Sequence, residues 1–447
     1  MAHGRWKWYL TRQRLRAPRT WPLPLTLLGT GLLLSWVFPL IDREVAYVEE
    51  EFSERFFPHL DSGSMATLLS AVAGGMITLT GLVFTAITMA MQFGASQLSV
   101  RVVPILQQDL VMRWAVGTFM TTFIYALMIS VRLAVSQEDY RPVLSMLFAI
   151  LLAVASAVLF FALVARVTTV LNSGQLLRIL ADEGSRSVDR THPGGEHTGP
   201  SEEPARTDAE PEVIPLGTPP GRGQVLIACD GPGLERLARR TGARIRLIPV
   251  TGDFVAREAP LFVVRPGTRP LKRRELMRHL LFDTTYSAAT DPAGALRAFV
   301  DIALKALSPS INDPGRAVQC LDHIEDLLVR IAPRLAARPS VGTTAAFQHR
   351  SRSWTDYVCI ATDEIRHFGS SSMQVQRRLR ALYATVAEVC TPEQIDPLRS
   401  RLETMDADVA ADWPRDLDRR LAGLPDSQGL GTAAGDTQDG RGRRIEA

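Results

Sequence analysis

Charge is missing from long parts of this sequence. From Trp21 to Ile41, Ser62 to Val100, Trp114 to Val131 and Pro142 to Ala165 there is no Asp, Glu, Lys or Arg. A helix at a water-facing surface keeps one polar face, so uncharged runs of this length exclude an ordinary amphipathic helix. About 20 residues cross a hydrocarbon core of about 30 Å, and each run is long enough to span it. Leu133, Ala134 and Val135 extend the third run past Arg132, whose long side chain can reach the interface. Four transmembrane helices are therefore expected, over about residues 21–41, 66–92, 114–135 and 142–165.

Cysteine is also scarce, with four residues at positions 229, 320, 359 and 390. They stand singly, without CxxC or paired-histidine spacing, which argues for reduced, mostly buried thiols and against a disulfide framework or zinc site. Asp301, Asp313, Asp322 and His323 do not make a metal set, because adjacent residues such as Asp322 and His323 point in different directions on a helix. Spans two to four hold no Asp, Glu, Lys or His at depth, which disfavours an ion-coupled carrier. No nucleophile and base pair, Gly-rich phosphate loop or ligand cluster is present, so neither an enzyme nor a cofactor is expected.

Orientation follows from where Lys and Arg lie. Arg5, Lys7, Arg12, Arg14, Arg16 and Arg19 precede the first span, whereas Arg43 and Arg55 in the next loop stand among Asp42, Glu44, Glu49, Glu50, Glu51, Glu54 and Asp61. The N-terminus is expected inside a cell membrane, and four crossings return the chain to the cytoplasm at Arg166 and Arg178. A cleaved signal peptide is the rival reading of the first run, but Phe38, Pro39, Leu40 and Ile41 lead into Asp42 without a small-residue cleavage site.

The expected order is a basic cytoplasmic N-terminus over 1–20, a four-span domain over 21–186 and a flexible linker over 187–222. The linker is rich in Pro, Gly, Glu, Thr and Asp, and it has too little apolar surface to order itself. A small β-rich module over 223–270, a helical domain over 271–424 and a disordered tail over 425–447 follow. The module reads strand, helix, strand, strand: Gln224 to Cys229, Gly233 to Thr241 stopped by Gly242, Arg244 to Val250, and Pro260 to Val264 after a turn. Helices are expected over Ala293 to Leu307, Pro314 to Ile331, Trp354 to Phe368, Ser372 to Cys390 and Pro392 to Leu421. The fold class is mainly α: four transmembrane helices plus an α+β cytoplasmic domain in which the β-rich module is followed by a helical bundle.

Three features could carry function. The second run would measure about 58 Å as one helix at 1.5 Å per residue, so it must tilt, break near Gly94 or project. Along it Ala71, Gly74, Thr78, Gly81, Thr85, Thr88, Gln92, Ala95 and Ser99 recur at spacings of three and four, giving a small and polar stripe. Such a stripe suits a left-handed helix-packing seam or, in an oligomer, the wall of a water-filled path. The segment Asp301 to Ala317 has Ser308-Pro309 as a turn and Asn312-Asp313-Pro314 as a capped helix start. Asp301, Ser308, Asn312 and Asp313 are either a structural loop or a ligand site at a helix start. Between Arg236 and Arg278 basic residues far outnumber acidic ones; this suits anionic lipid headgroups or a plain solvated face. Nucleic-acid binding would want aromatics interleaved with the basic residues, and the stretch offers only Phe254 and Phe262, so no nucleic-acid partner is expected.

The strings GLVFTAITMAMQFGASQLSVRV, VTGDFVAREAPLFVV and above all DIALKALSPSINDPGRA resemble a family of bacterial predicted membrane proteins catalogued as a domain of unknown function. The likeness runs from about Trp21 to Leu421, outside the linker and tail. Where the family continues after INDP with an aromatic residue and threonine, Gly315 and Arg316 stand here. The resemblance implies a multi-span membrane protein and supplies no substrate. Gly252 to Leu261 is also similar to the hairpin of biotinyl or lipoyl carriers, without a lysine for attachment. The expected function is an oligomeric channel-like or transport-related protein with a cytoplasmic regulatory domain; the alternative is a membrane-anchored ligand-binding or signalling module near Asn312 and Asp313.

Overall fold

The computed structural model describes residues 22–44, 62–97, 109–135, 142–171, 173–192, 212–215, 223–283, 291–336, 341–343 and 346–431. The chain divides into two units, residues 17–175 and residues 176–447 together with 1–16. The expected basic N-terminus and acidic first loop lie outside the described residues.

Four helices build the first unit: α1 (Pro22–Glu44), α2 (Ser62–Gln97), α3 (Leu110–Val135) and α4 (Val143–Leu171). All four are long and apolar enough to cross a membrane. α2 runs unbroken through Gly94, so of the three outcomes expected for its length the break is the one that does not occur. α3 is central, with Met112, Ala115, Phe119, Tyr125, Ala126, Ile129 and Leu133 buried along its length. Small residues let its neighbours close in: a Cβ on Gly31 of α1 would stand 2.7 Å from Thr121 Cγ2, and one on Gly117 would stand 3.2 Å from Pro24 Cα. Hydroxyls tie the helices where apolar packing is undirected. Ser70 Oγ lies 2.7 Å from Ser130 Oγ, and Thr122 Oγ1 lies 3.0 Å from Ser156 Oγ.

Each end of the bundle is closed by a carboxylate. Asp42, fully buried at the end of α1, accepts from the Leu144 and Ser145 amides at 3.1 and 3.4 Å and from the Ser145 hydroxyl. These are the donors a helix start leaves unsatisfied. At the opposite end of α4, Arg166 donates to Asp109 at 2.6 Å, while Asp109 also accepts from Val111 N at 2.9 Å and so caps α3.

The second unit opens with α5 (Ser173–Thr191), then β1 (Glu212–Pro215), β2 (Gln224–Cys229), α6 (Gly231–Thr241), β3 (Arg244–Leu247), β4 (Phe254–Val255), β5 (Pro260–Arg265), α7 (Arg273–Met277) and β6 (Leu280–Asp283). Asp230 caps α6 and Gly242 ends it in the left-handed region at φ 69°. α8 (Pro292–Ala306) and α9 (Pro314–Ala336) form a helical hairpin; β7 (Val341–Thr343) and β8 (Phe347–Arg350) follow. The strands make a five-stranded sheet in the order β1-β5-β3-β8-β7 and a three-stranded sheet β4-β2-β6. Ile245, Leu247, Phe262, Val264 and Phe347 alternate inward from the larger sheet onto Leu234 and Leu237 of α6. Fully burying a side chain such as Phe262 contributes about 2 kcal/mol.

Three expected boundaries move. The linker expected from Ser187 is ordered at its start, because α5 continues to Thr191 with Ser187 and Val188 buried, and Glu212–Pro215 pairs with β5. Leu177, Leu180, Gly184 and Val188 extend a spacing of three and four onto α8 and α9, where small Gly184 meets Ala295 and Leu327. The helical domain expected from residue 271 opens with the short α7 but then contributes two strands to the sheets, β6 and β8, the latter parallel to β3 in the register Ile245↔Phe347. The tail expected from residue 425 starts with a turn built on Asp426, which accepts from the amides of Gln428, Gly429 and Gly431. Residues 432–447 lie outside the described part.

The remaining helices are α10 (Trp354–Val358), α11 (Glu364–Phe368), α12 (Met373–Ala387), α13 (Pro392–Asp412) and α14 (Asp416–Gly423). The single helix expected from Trp354 to Phe368 contains a π turn at Cys359–Asp363. The one expected from Pro392 to Leu421 stops at Asp412, because Pro414 holds Trp413 extended at φ −103° and ψ 105°.

Candidate functional site

Asn312 adopts φ 48°, a left-handed conformation uncommon outside glycine that asparagine tolerates better than most. The carbonyl of Ser308 accepts from the amides of Ile311 and Asn312 at 3.0 and 2.9 Å, and the Asp313 amide donates to Ala306 O at 2.8 Å. Asp313 Oδ1 accepts from Arg316 N at 3.0 Å, capping α9, and Ser308 Oγ donates to Lys305 O at 2.7 Å. These bonds close the turn between α8 and α9. Asp301 pairs elsewhere: Arg297 donates to it at 2.8 Å and to Glu364 of α11 at 2.6 Å. Asp322 receives Arg378 at 2.7 Å, whereas His323 stacks on Phe299 with centroids 5.4 Å apart, so those neighbours diverge.

On α2, Gly74, Thr78, Gly81, Thr85 and Gln92 are exposed and Thr88 is half-buried. Thr78, Thr85 and Thr88 donate to their own helix at Gly74 O, Gly81 O and Phe84 O, at 2.9, 2.9 and 2.8 Å. A Cβ on Gly74, Gly75 or Gly81 would meet nothing within 4 Å. The face packed inside the bundle is a different one, carrying Met65, Leu69, Ala73, Thr80, Val83 and Ala90. The stripe points away from the chain's own four helices. Ser99 lies outside the described residues.

Six of the twelve residues of the basic run fall into two groups. Arg239, Arg240 and Arg257 face Glu235, Glu275 and Glu258 at 2.5, 3.7 and 3.1 Å. Arg244, Arg246 and Arg265 instead lie on the outer face of the five-stranded sheet, opposite its core residues. They line a cleft of about 320 Å³ together with Val263, Ala346 and Gln348.

Sequence reasoning missed two constellations, one buried and one half-buried. His192 Nε2 lies 3.1 Å from the Tyr357 hydroxyl, which donates to Asp291 at 3.5 Å. Burial, with Asp291 nearby, pushes the Tyr357 hydroxyl well above its ordinary value, so it stays protonated and donates. Asp291 also caps α8 through Ala293 N at 2.8 Å, and this cap was visible in the Asp291-Pro292 pair. At the π turn, Arg401 of α13 grips Asp363 at 2.5 and 2.8 Å and reaches Cys359 Sγ at 3.0 Å. Burial raises all four thiols, Cys390 to about 12, which leaves them poor nucleophiles.

Similarity to known proteins follows the same architecture. An uncharacterised protein of Mycobacterium tuberculosis and one of Mycobacterium bovis are each 26% identical over 397 residues, covering 85% of this chain and 73% of the relative. No solved structure matches. The family described as predicted membrane protein (DUF2254) matches residues 18–385, from before α1 into α12. With four membrane-length helices that contact the lipid bilayer and a helix-rich second unit, this chain belongs to that family of predicted membrane proteins.

Proposed function

We propose that the protein is a homo-oligomeric, channel-like or transport-related protein of the cell membrane, in which copies meet through α2 and the second unit regulates the assembly from the cytoplasm. This reading assigns it no catalytic reaction. The observation that carries it is the outward stripe of Gly74, Thr78, Gly81 and Thr85, whose small side chains permit close approach and whose hydroxyls offer polar surface. The excess of Lys and Arg before the first span supports an inside N-terminus. Solution mass in detergent, followed by reconstitution and flux, tests the reading: a ring of subunits with flux supports it, and a strict monomer without flux rejects it.

The arginine-lined cleft favours a second reading, a membrane-anchored ligand-binding or signalling module without a transport path. In that reading the ligand sits on the sheet rather than at Asn312 and Asp313, whose backbone amides, with the Asp313 carboxylate, are engaged in closing their own turn.

A further inference from the structure

We propose that the outer face of the five-stranded sheet is a binding site for a phosphate-bearing small molecule, held by the guanidinium groups of Arg244, Arg246 and Arg265 with the amide of Gln348 beside them. Residues two apart on a strand share a face, so Arg244 and Arg246 project together from β3. The antiparallel register sets Arg265 of β5 directly opposite Arg244, and the parallel register sets Gln348 of β8 beside Arg246. A dianion in the cleft is attracted by each of these guanidinium groups.

The chemistry of the cleft points the same way. Among the described residues the side chains of Arg246 and Arg265 have no hydrogen-bond or ion-pair partner, whereas those of Arg239, Arg240 and Arg257 in the same basic run have carboxylate partners. Arginine presents a planar fork matched to phosphate oxygens, and several forks converging on one concavity suit a single phosphate group better than the diffuse attraction of a lipid surface. The volume of about 320 Å³ is at the small end of ligand pockets, and Val263 and Ala346 give it an apolar lining for the rest of the molecule. A soluble phosphorylated metabolite or nucleotide is therefore the occupant. This inference deepens the ligand-binding reading and is independent of transport, which the flux measurement addresses separately.

The test is calorimetric titration of the detergent-purified full chain with inorganic pyrophosphate, for the wild type and for Arg246→Gln, Arg265→Gln and Arg257→Gln. Both cleft arginines are exposed, so their replacement leaves the fold intact, which thermal melting checks. Each cleft variant is expected to weaken binding by about tenfold or more, since each factor of ten in Kd corresponds to about 1.4 kcal/mol and charge-assisted contacts exceed neutral ones. Arg257→Gln, outside the cleft, leaves affinity unchanged, and Arg246→Lys recovers part of it. The proposal is overturned if wild type does not bind pyrophosphate, or if the cleft variants bind it as wild type does. Binding of a soluble short-chain phosphatidic acid, in the absence of any pyrophosphate binding, would overturn it in favour of a lipid headgroup.

Discussion

A fully buried carboxylate at the end of an apolar helix must be surrounded by donors, and Asp42 finds them in the first turn of α4. Asp42→Ala takes the acceptor from the Ser145 amide and hydroxyl, and a buried donor left unmade costs about 1–3 kcal/mol. The detergent-purified variant should melt at a lower temperature, with Asn at the same position recovering part of the loss; an unchanged transition would refute this role. Titration acts at the same scale in the second unit. Burial lowers the imidazoles of His323 and His349, against the opposing pull of Asp322 and Asp326 on the former. The unfolded chain then takes up protons that the folded protein refuses. Stability from these two groups is full above the ordinary imidazole value of about 6.5 and is lost as pH falls below it towards their folded values. Replacing both by Gln should flatten the loss of melting temperature between about pH 7 and about pH 5, the range in which histidine changes charge. An equal slope in the variant would contradict the assignment.

At the scale of elements, glycines of similar appearance have opposite surroundings. Gly31 and Gly117 stand where α1 and α3 nearly touch, while Gly74 and Gly81 face open space. Leucine at Gly31 or Gly117 should overpack the bundle, at about 1–3 kcal/mol. Gly74→Leu and Gly81→Leu should keep helicity and melting while reducing the mass of the detergent complex; circular dichroism with light scattering distinguishes these outcomes. The sequence carries no sign of this difference, since spacing identifies a stripe but not what it faces. Local chemistry was legible: the uncharged runs marked α1 to α4, and Asp291 and Asp313 marked two helix starts. Non-local pairing was not. β8 joins β3 across the intervening α8 and α9, and that register sets Gln348 beside Arg246. The π turn at Cys359–Asp363 is likewise set by packing, with Arg401 arriving from α13.

For the whole molecule, the surface chemistry of the first unit is that of a body in hydrocarbon. Leu82, Phe84 and Met89 on α2 and Leu151, Val158 and Phe161 on α4 are exposed. Water would make such a surface aggregate, while lipid solvates it. The outward stripe of α2 interrupts this apolar coat with small and hydroxyl-bearing residues, and that interruption is what a neighbouring copy would cover. The most direct measurement is cross-linking in native membranes with a bismaleimide, on a cysteine-free background carrying single substitutions along α2. The account predicts dimers from Thr78→Cys and Thr85→Cys and none from Val83→Cys, which lies inside the bundle. Absence of cross-links at Thr78 and Thr85, or equal cross-linking at Val83, would contradict it.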